Sequence, residues 1–164
     1  MKIMITGTPG AGKTFFAKEI AKTFSLDHID ISKYIKDNEL YTNHDDKFDT
    51  FLFEEETVRK SLKLYLKNKK NFIIDTHSPE LLNFVDFNFI YVLKISTDEL
   101  YTRLRSRGYS AKKIKENINC EIFEIIEDSL SENNMPFYLV GSEDGFLTKN
   151  DVFNDIERAV NTTR

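Results

Sequence analysis

The sequence predicts an open α/β fold, a five-stranded parallel sheet doubly wound with helices on both faces. Three observations lead to it. Short apolar runs, suited to buried strands, alternate with longer segments of helical periodicity along all 164 residues. Gly7-Thr-Pro-Gly-Ala-Gly-Lys-Thr14 fits the G-x-x-x-x-G-K-T pattern of a phosphate-binding loop and stands between the first apolar run and the first periodic segment. Asp75 ends another apolar run, at the carboxyl end of a strand, where such sheets gather their ligands.

Each element follows from its local pattern. Lys2-Ile-Met-Ile-Thr6 is a buried strand, and Phe16, Ala17, Ile20, Ala21 and Phe24 recur at the spacing of a helix over 13–24. His28-Ile-Asp-Ile31 is a second short strand, after which Ser32 caps a short helix to about Asn38. Residues 41–49 are polar and aperiodic, hence loop. An amphipathic helix over 54–67 carries Val58, Leu62 and Leu66 on one face. Residues 71–75 and 88–93 are buried strands. Ser96-Thr-Asp-Glu99 is a capping box for a helix ending near Gly108, and one longer helix covers 111–131. Pro136 precedes a last strand over 137–140, and Thr148-Lys-Asn-Asp151 repeats the capping signature before a C-terminal helix. No repeat or low-complexity linker interrupts the chain, so one domain with right-handed crossovers is expected.

Composition narrows the function classes. The 23 basic and 27 acidic residues leave a net charge of −4, which argues against nucleic-acid binding by the whole surface and leaves room for a local basic patch. Cys120 is the single cysteine, so neither a disulfide framework nor a cysteine metal site is expected. The segment before the loop is too short for a signal peptide, and no apolar run approaches the ~18 residues of a membrane span. A soluble, intracellular protein without membrane partners is expected.

The loop dictates the chemistry. Its glycines, Gly10 and Gly12 among them, let backbone N–H groups turn inward, and the helix N-terminus adds partial positive charge where phosphates sit. Lys13 reaches β- and γ-phosphate oxygens, and the Thr14 hydroxyl can ligate Mg²⁺. The chain is therefore expected to bind a nucleoside triphosphate, with ATP and Mg²⁺ as cofactors. Asp75 is placed to hold the same metal through water, the alternative being a turn former at the strand end. His77, two residues on, shares that face and could orient a water or relay a proton with its near-neutral pKa; a structural histidine is the other reading. Arg103 and Arg107 lie four apart on one helix face, and their guanidinium forks suit a transferring phosphoryl group, with Gly108 as a hinge; a solvated basic helix end is the bland alternative. Arg105 is offset from both, and Lys112, Lys113 and Lys115 are expected to be solvated.

Together these segments resemble the adenylate kinase isoenzyme 6 family, small P-loop nucleoside monophosphate kinases that also act in small-ribosomal-subunit maturation. The resemblance is carried by the phosphate loop, by Glu39-Leu-Tyr41 with its following acidic stretch, by Asp75-x-His77, and by Leu100-Tyr-x-Arg-Leu-x-x-Arg-Gly-Tyr109. The last runs on through Lys112-Lys-Ile-x-x-Asn-Ile-x-Cys-Glu-Ile-Phe123, and the match loosens after about Ser131. It implies a nucleoside-monophosphate segment over about 30–53, a lid over about 106–116 with Arg107 on ATP, and adenine held near 142–145, Ser142 included, mainly by backbone. This chain departs from the family at two positions. Lys36 stands where an arginine usually grips the AMP phosphate, and a lysine is a point charge without the bidentate fork. Phe15 replaces a second threonine at a position whose nucleotide contact is a backbone N–H.

The expected activity is thus Mg²⁺-dependent transfer from ATP to AMP with accompanying ATP hydrolysis. Lys13 would serve the phosphates, Thr14 and Asp75 the metal, Arg103 and Arg107 the transition-state charge, and His77 the water. The resemblance also implies a small-subunit ribosomal protein and the pre-ribosomal particle as partners, cytoplasmic and nuclear localisation, and a monomer. Two other functions fit the fold: a nucleotide-driven switch on a ribosomal protein, and a kinase for a small hydroxyl metabolite.

Overall fold

The computed structural model describes residues 1–45 and 50–162. Its strands are β1 (Lys2–Thr6), β2 (Asp27–Asp30), β3 (Asn43–Asp45), β4 (Thr50–Leu52), β5 (Phe72–Asp75), β6 (Phe89–Leu93) and β7 (Tyr138–Val140). Its helices are α1 (Lys13–Phe24), α2 (Ile31–Asp37), α3 (Glu55–Leu66), α4 (Thr97–Ser106), α5 (Ala111–Ile122), α6 (Ile125–Glu132) and α7 (Lys149–Thr162), with a 3₁₀ turn at Pro79–Leu82. Five strands form one parallel sheet in the order β2-β5-β1-β6-β7, the architecture that the sequence predicts.

Apolar side chains on both faces of the sheet explain why its strands are continuous apolar runs rather than alternating ones. Ile3, Ile5, Ile73 and Tyr91 pack on one side with Phe16 and Ile20 of α1 and Val152 and Ile156 of α7. Met4, Ile74, Ile90 and Val92 pack on the other with Ile35 of α2, Val58 and Leu62 of α3, and Leu130 of α6. Burying each such side chain contributes about 1.5–3 kcal/mol, so both layers are needed to hold the central strands. The register sets Ile5 beside Asp75 and Asp75 beside Asp30. The carboxyl ends of three strands therefore meet at one edge of the sheet, where the phosphate loop begins.

Several local expectations are corrected. The N-cap of α2 is Asp30, not Ser32: its carboxylate accepts from the Lys33 N–H at 2.9 Å, so the helix starts at Ile31. The stretch over 41–49, predicted as loop, contains β3, which pairs antiparallel with β4, residues 46–49 lying outside the described part. That hairpin escapes periodicity arguments because each strand has three residues.

The single helix predicted over 111–131 is two helices, broken where Glu124 takes a left-handed φ of 52°. The break has a physical cause. On one straight helix Glu121 and Glu127 would point about 120° apart. In the structure both reach the Lys94 ammonium, Glu121 at 3.2 Å. The capping box is complete at Thr148, which exchanges bonds with Asp151, whereas at Ser96 only the hydroxyl's bond from the Glu99 N–H is made and the Glu99 carboxylate turns to Arg103.

Candidate active site

The phosphate loop leaves β1 at Gly7, whose φ of 137° and close approach to the sheet exclude a side chain: a Cβ there would lie 2.6 Å from the Leu93 carbonyl oxygen. It re-enters helix at Gly12, the N-cap of α1, which has left-handed φ and offers no side-chain cap. The first N–H groups of α1 thus lack the usual intramolecular acceptor and face a site for an anion. Lys13 is buried beneath the loop, and its ammonium donates to the carbonyls of Gly7 (2.8 Å) and Thr8 (3.1 Å). Burial pushes its pKa down to about 8, with Asp75 opposing that shift and Arg107 adding to it.

Asp75 and Thr14, both expected to hold the metal, are brought together. The Thr14 hydroxyl donates to Asp75 Oδ1 at 2.9 Å. Asp75 is buried, and its second oxygen, Oδ2, lies 2.5 Å from His28 Nε2. An ionised carboxylate can only accept, so the imidazole N–H donates. His28 belongs to β2 and was not singled out by the sequence; its role requires knowing that β2 lies next to β5. Hydroxyl and carboxylate oxygens beside a phosphate loop suit a hard cation. Mg²⁺ draws few ligands from protein and completes its shell with phosphate and water, so these two residues fit it.

His77 lines the same cleft, and its side chain is exposed to the cleft opening. Crowding by protein atoms, then the Lys13 charge, pushes its pKa down to about 4, with Asp75 opposing and Lys113 adding. The ring is neutral at pH 7 and can accept a hydrogen bond from water.

A cleft of about 800 Å³ joins these groups. Gly10, Gly12, Lys13, Thr14, Phe15, Asp75 and His77 form the loop side. Ser32, Ile35, Phe53 and Leu81 also line the cleft, as do Arg107 and Tyr109 from the segment between α4 and α5 and Lys113 from the first turn of α5. Phe15 is 72% exposed there, unusual for a phenylalanine.

The two predicted arginines separate. Arg107 lines the cleft, whereas Arg103 grips the loop from behind, donating to the carbonyls of Gly10 and Ala11 at 3.2 Å each while pairing with Glu99. Lys36 and Ser142 are exposed, and neither is among the residues lining the cleft. Lys113, expected to be solvated, lines the cleft instead and lies 3.9 Å from the Tyr109 ring centroid.

Known proteins resemble this chain in sequence and in fold. The AAA domain family matches residues 3–124. The adenylate kinase isoenzyme 6 homolog of Plasmodium falciparum is 36% identical over 80% of this chain and 78% of its own length. The homolog of the same name in Caenorhabditis elegans is 32% identical over 80% of this chain and 72% of its own. Among solved structures, a deoxyadenosine kinase from M. mycoides superposes with a TM-score of 0.59 at 21% identity, covering 98% of this chain and all of that one. A shikimate kinase from Acinetobacter baumannii gives 0.61 at 15% identity, covering 99% and 94%. These two share the fold. From the sequence relatives and the loop geometry, the chain belongs to the adenylate kinase isoenzyme 6 family, kinases of the nucleoside monophosphate type built on a phosphate-binding loop.

Proposed function

We propose that this protein is a Mg²⁺-dependent ATP:AMP phosphotransferase that also hydrolyses ATP, with a further role in small-ribosomal-subunit maturation. The observation that carries the phosphotransfer is the single continuous cleft. It runs from the phosphate loop past Asp75 and His77 to the apolar side chains of Ile35, Phe53 and Leu81, with a volume of about 800 Å³.

Phosphoryl transfer is mostly positioning and charge neutralisation, and the groups present supply both. Lys13, released from the loop carbonyls it holds, binds β- and γ-phosphate oxygens alongside the α1 N-terminus. Thr14 and Asp75 would hold Mg²⁺, which when bound neutralises phosphate charge. Arg107 stabilises the charge that spreads over the transferring group. An oxygen of the AMP phosphate attacks the γ-phosphorus in line, the bond to the β-phosphate oxygen breaks, and two ADP molecules leave. Without AMP, a water accepted by neutral His77 takes the attacking place and yields ADP and phosphate.

A second function, an ATP-hydrolysing switch on a ribosomal protein, is favoured by one observation: Lys36, which stands where the family arginine holds the acceptor phosphate, is exposed and outside the cleft wall. Support for the ribosomal role, and for the nuclear and cytoplasmic localisation that goes with it, is family membership. Co-sedimentation of the tagged protein with small-subunit precursors, lost in an ATP-binding variant, tests it. Turnover measured with ATP alone and then with each nucleoside monophosphate separates kinase from switch. Stimulation by AMP with ADP as product supports the kinase; indifference to every monophosphate supports the switch.

A further inference from the structure

Below the phosphate loop lies a buried cluster of charges that takes no part in the chemistry above. Glu121, in the last turn of α5, is 7% exposed. Its Oε2 accepts from the hydroxyl of Thr8, the second residue of the phosphate loop, itself 2% exposed. Its Oε1 accepts from the Ile95 N–H at 3.3 Å and pairs with the Lys94 ammonium at 3.2 Å. Lys94 also pairs with Glu127, in the first turn of α6. Burial opposes the lysine charge, but the bond to Glu127 and the charge of Glu121 outweigh it and raise its pKa. Removing a partner from such a cluster leaves a buried charge unpaired, so its members hold one another in place.

Thr8 is held from both directions. Its side chain is fixed by Glu121, and its carbonyl accepts from the Ala11 N–H at 3.1 Å and from Lys13 at 3.1 Å. Helix α5, which ends at this anchor, contributes Glu116, Asn117 and Cys120 to the cleft wall nearer its start. One helix therefore joins the lining of the cleft to the base of the loop.

We propose that Glu121 is a positioning residue for the donor phosphates: through Thr8 it fixes the curvature of the phosphate loop, and so couples helix α5 to the ATP site. The inference rests on the loop being the nucleotide site proposed above. Charge and position make opposite predictions here. Glu121 is a negative charge near enough to act on Lys13. If it were only a bystander, neutralising it would strengthen binding of an anionic triphosphate. If it positions the loop, neutralising it weakens that binding.

The test is ATP affinity by calorimetry in the full-length protein, for Glu121→Gln, Thr8→Val and the double variant, with inorganic tripolyphosphate as a ligand lacking the nucleoside. Gln keeps the size of the buried side chain and Val keeps the shape of Thr8, but Lys94 or Glu121 then has one partner fewer, so thermal unfolding of each variant accompanies the binding measurement. Each single change is expected to weaken ATP and tripolyphosphate by the same factor, about tenfold, the scale of one hydrogen bond to a charged group. The double variant is expected to be no weaker than the worse single one, because both remove one interaction. Thr8→Ser should recover most of what Thr8→Val loses. Wild-type or tighter ATP binding in folded Glu121→Gln, or additive losses in the double variant, overturns the positioning role. Failure of the unaltered protein to bind either ligand would instead overturn the nucleotide site itself.

Discussion

His28 and Asp75, 47 residues apart in sequence, share a hydrogen bond of 2.5 Å at the edge of the phosphate site. Because the other oxygen of Asp75 is bonded to Thr14, both lone-pair faces of this carboxylate are set by protein donors. A carboxylate held in this way presents fixed geometry to a metal or its water shell, and outer partners of this kind commonly change metal affinity 10–100-fold. Replacing His28 with Phe, which keeps the ring and loses the donor, is expected to raise the Mg²⁺ concentration for half-maximal turnover about tenfold. Mn²⁺ binding to the ATP complex, followed by electron paramagnetic resonance, should weaken in parallel. Unchanged metal dependence in both measurements would reduce His28 to a packing residue.

Lys13→Ala should abolish phosphotransfer and ATP hydrolysis alike, a loss of at least about a hundredfold, since charge neutralisation carries most of this chemistry. The lysine also caps the Gly7 and Thr8 carbonyls, so thermal unfolding should accompany the assay. A folded variant with near-normal turnover would move the nucleotide site elsewhere.

His77→Ala separates the two reactions. The neutral ring can hold a water, whereas the AMP phosphate brings its own nucleophile and is oriented by other groups. Hydrolysis is expected to fall about tenfold or more, transfer to AMP only about twofold, with ATP affinity unchanged. Equal losses in both reactions would assign His77 a structural role at the end of β5.

The acceptor side offers a third comparison. Ser32 and Ile35 of α2 line the cleft and Lys36 of the same helix does not, so the KM for AMP is expected not to depend on Lys36. Lys36→Arg should leave that KM within about twofold, against the several-fold improvement that a clamp at this position would give. That improvement would return the acceptor phosphate to Lys36 and imply that the segment carrying it moves inward on binding.

Much of this was legible in the sequence, for reasons that particular residues make plain. The phosphate loop, the strand ending at Asp75 and the amphipathic helix with Val58, Leu62 and Leu66 are local patterns, and local patterns survive folding unchanged. What the sequence hid depends on contacts between distant segments. His28 gains its partner only because β2 lies beside β5. Arg103 and Arg107 share a helical face by spacing, yet α4 ends at Ser106, so Arg107 swings to the cleft while Arg103 stays behind the loop. Likewise the helix break at Glu124 follows from the demand of half-buried Lys94 for two carboxylates, which no periodicity records.

The decisive measurement is product stoichiometry from ATP, Mg²⁺ and AMP, followed by phosphorus NMR beside a reaction lacking AMP. If the cleft transfers a phosphoryl group between two nucleotides, each ATP consumed yields two ADP, at a rate at least about tenfold above hydrolysis alone, the advantage of a positioned nucleophile over water. Equal rates with and without AMP, with inorganic phosphate as the product in both, would contradict it and leave an ATPase.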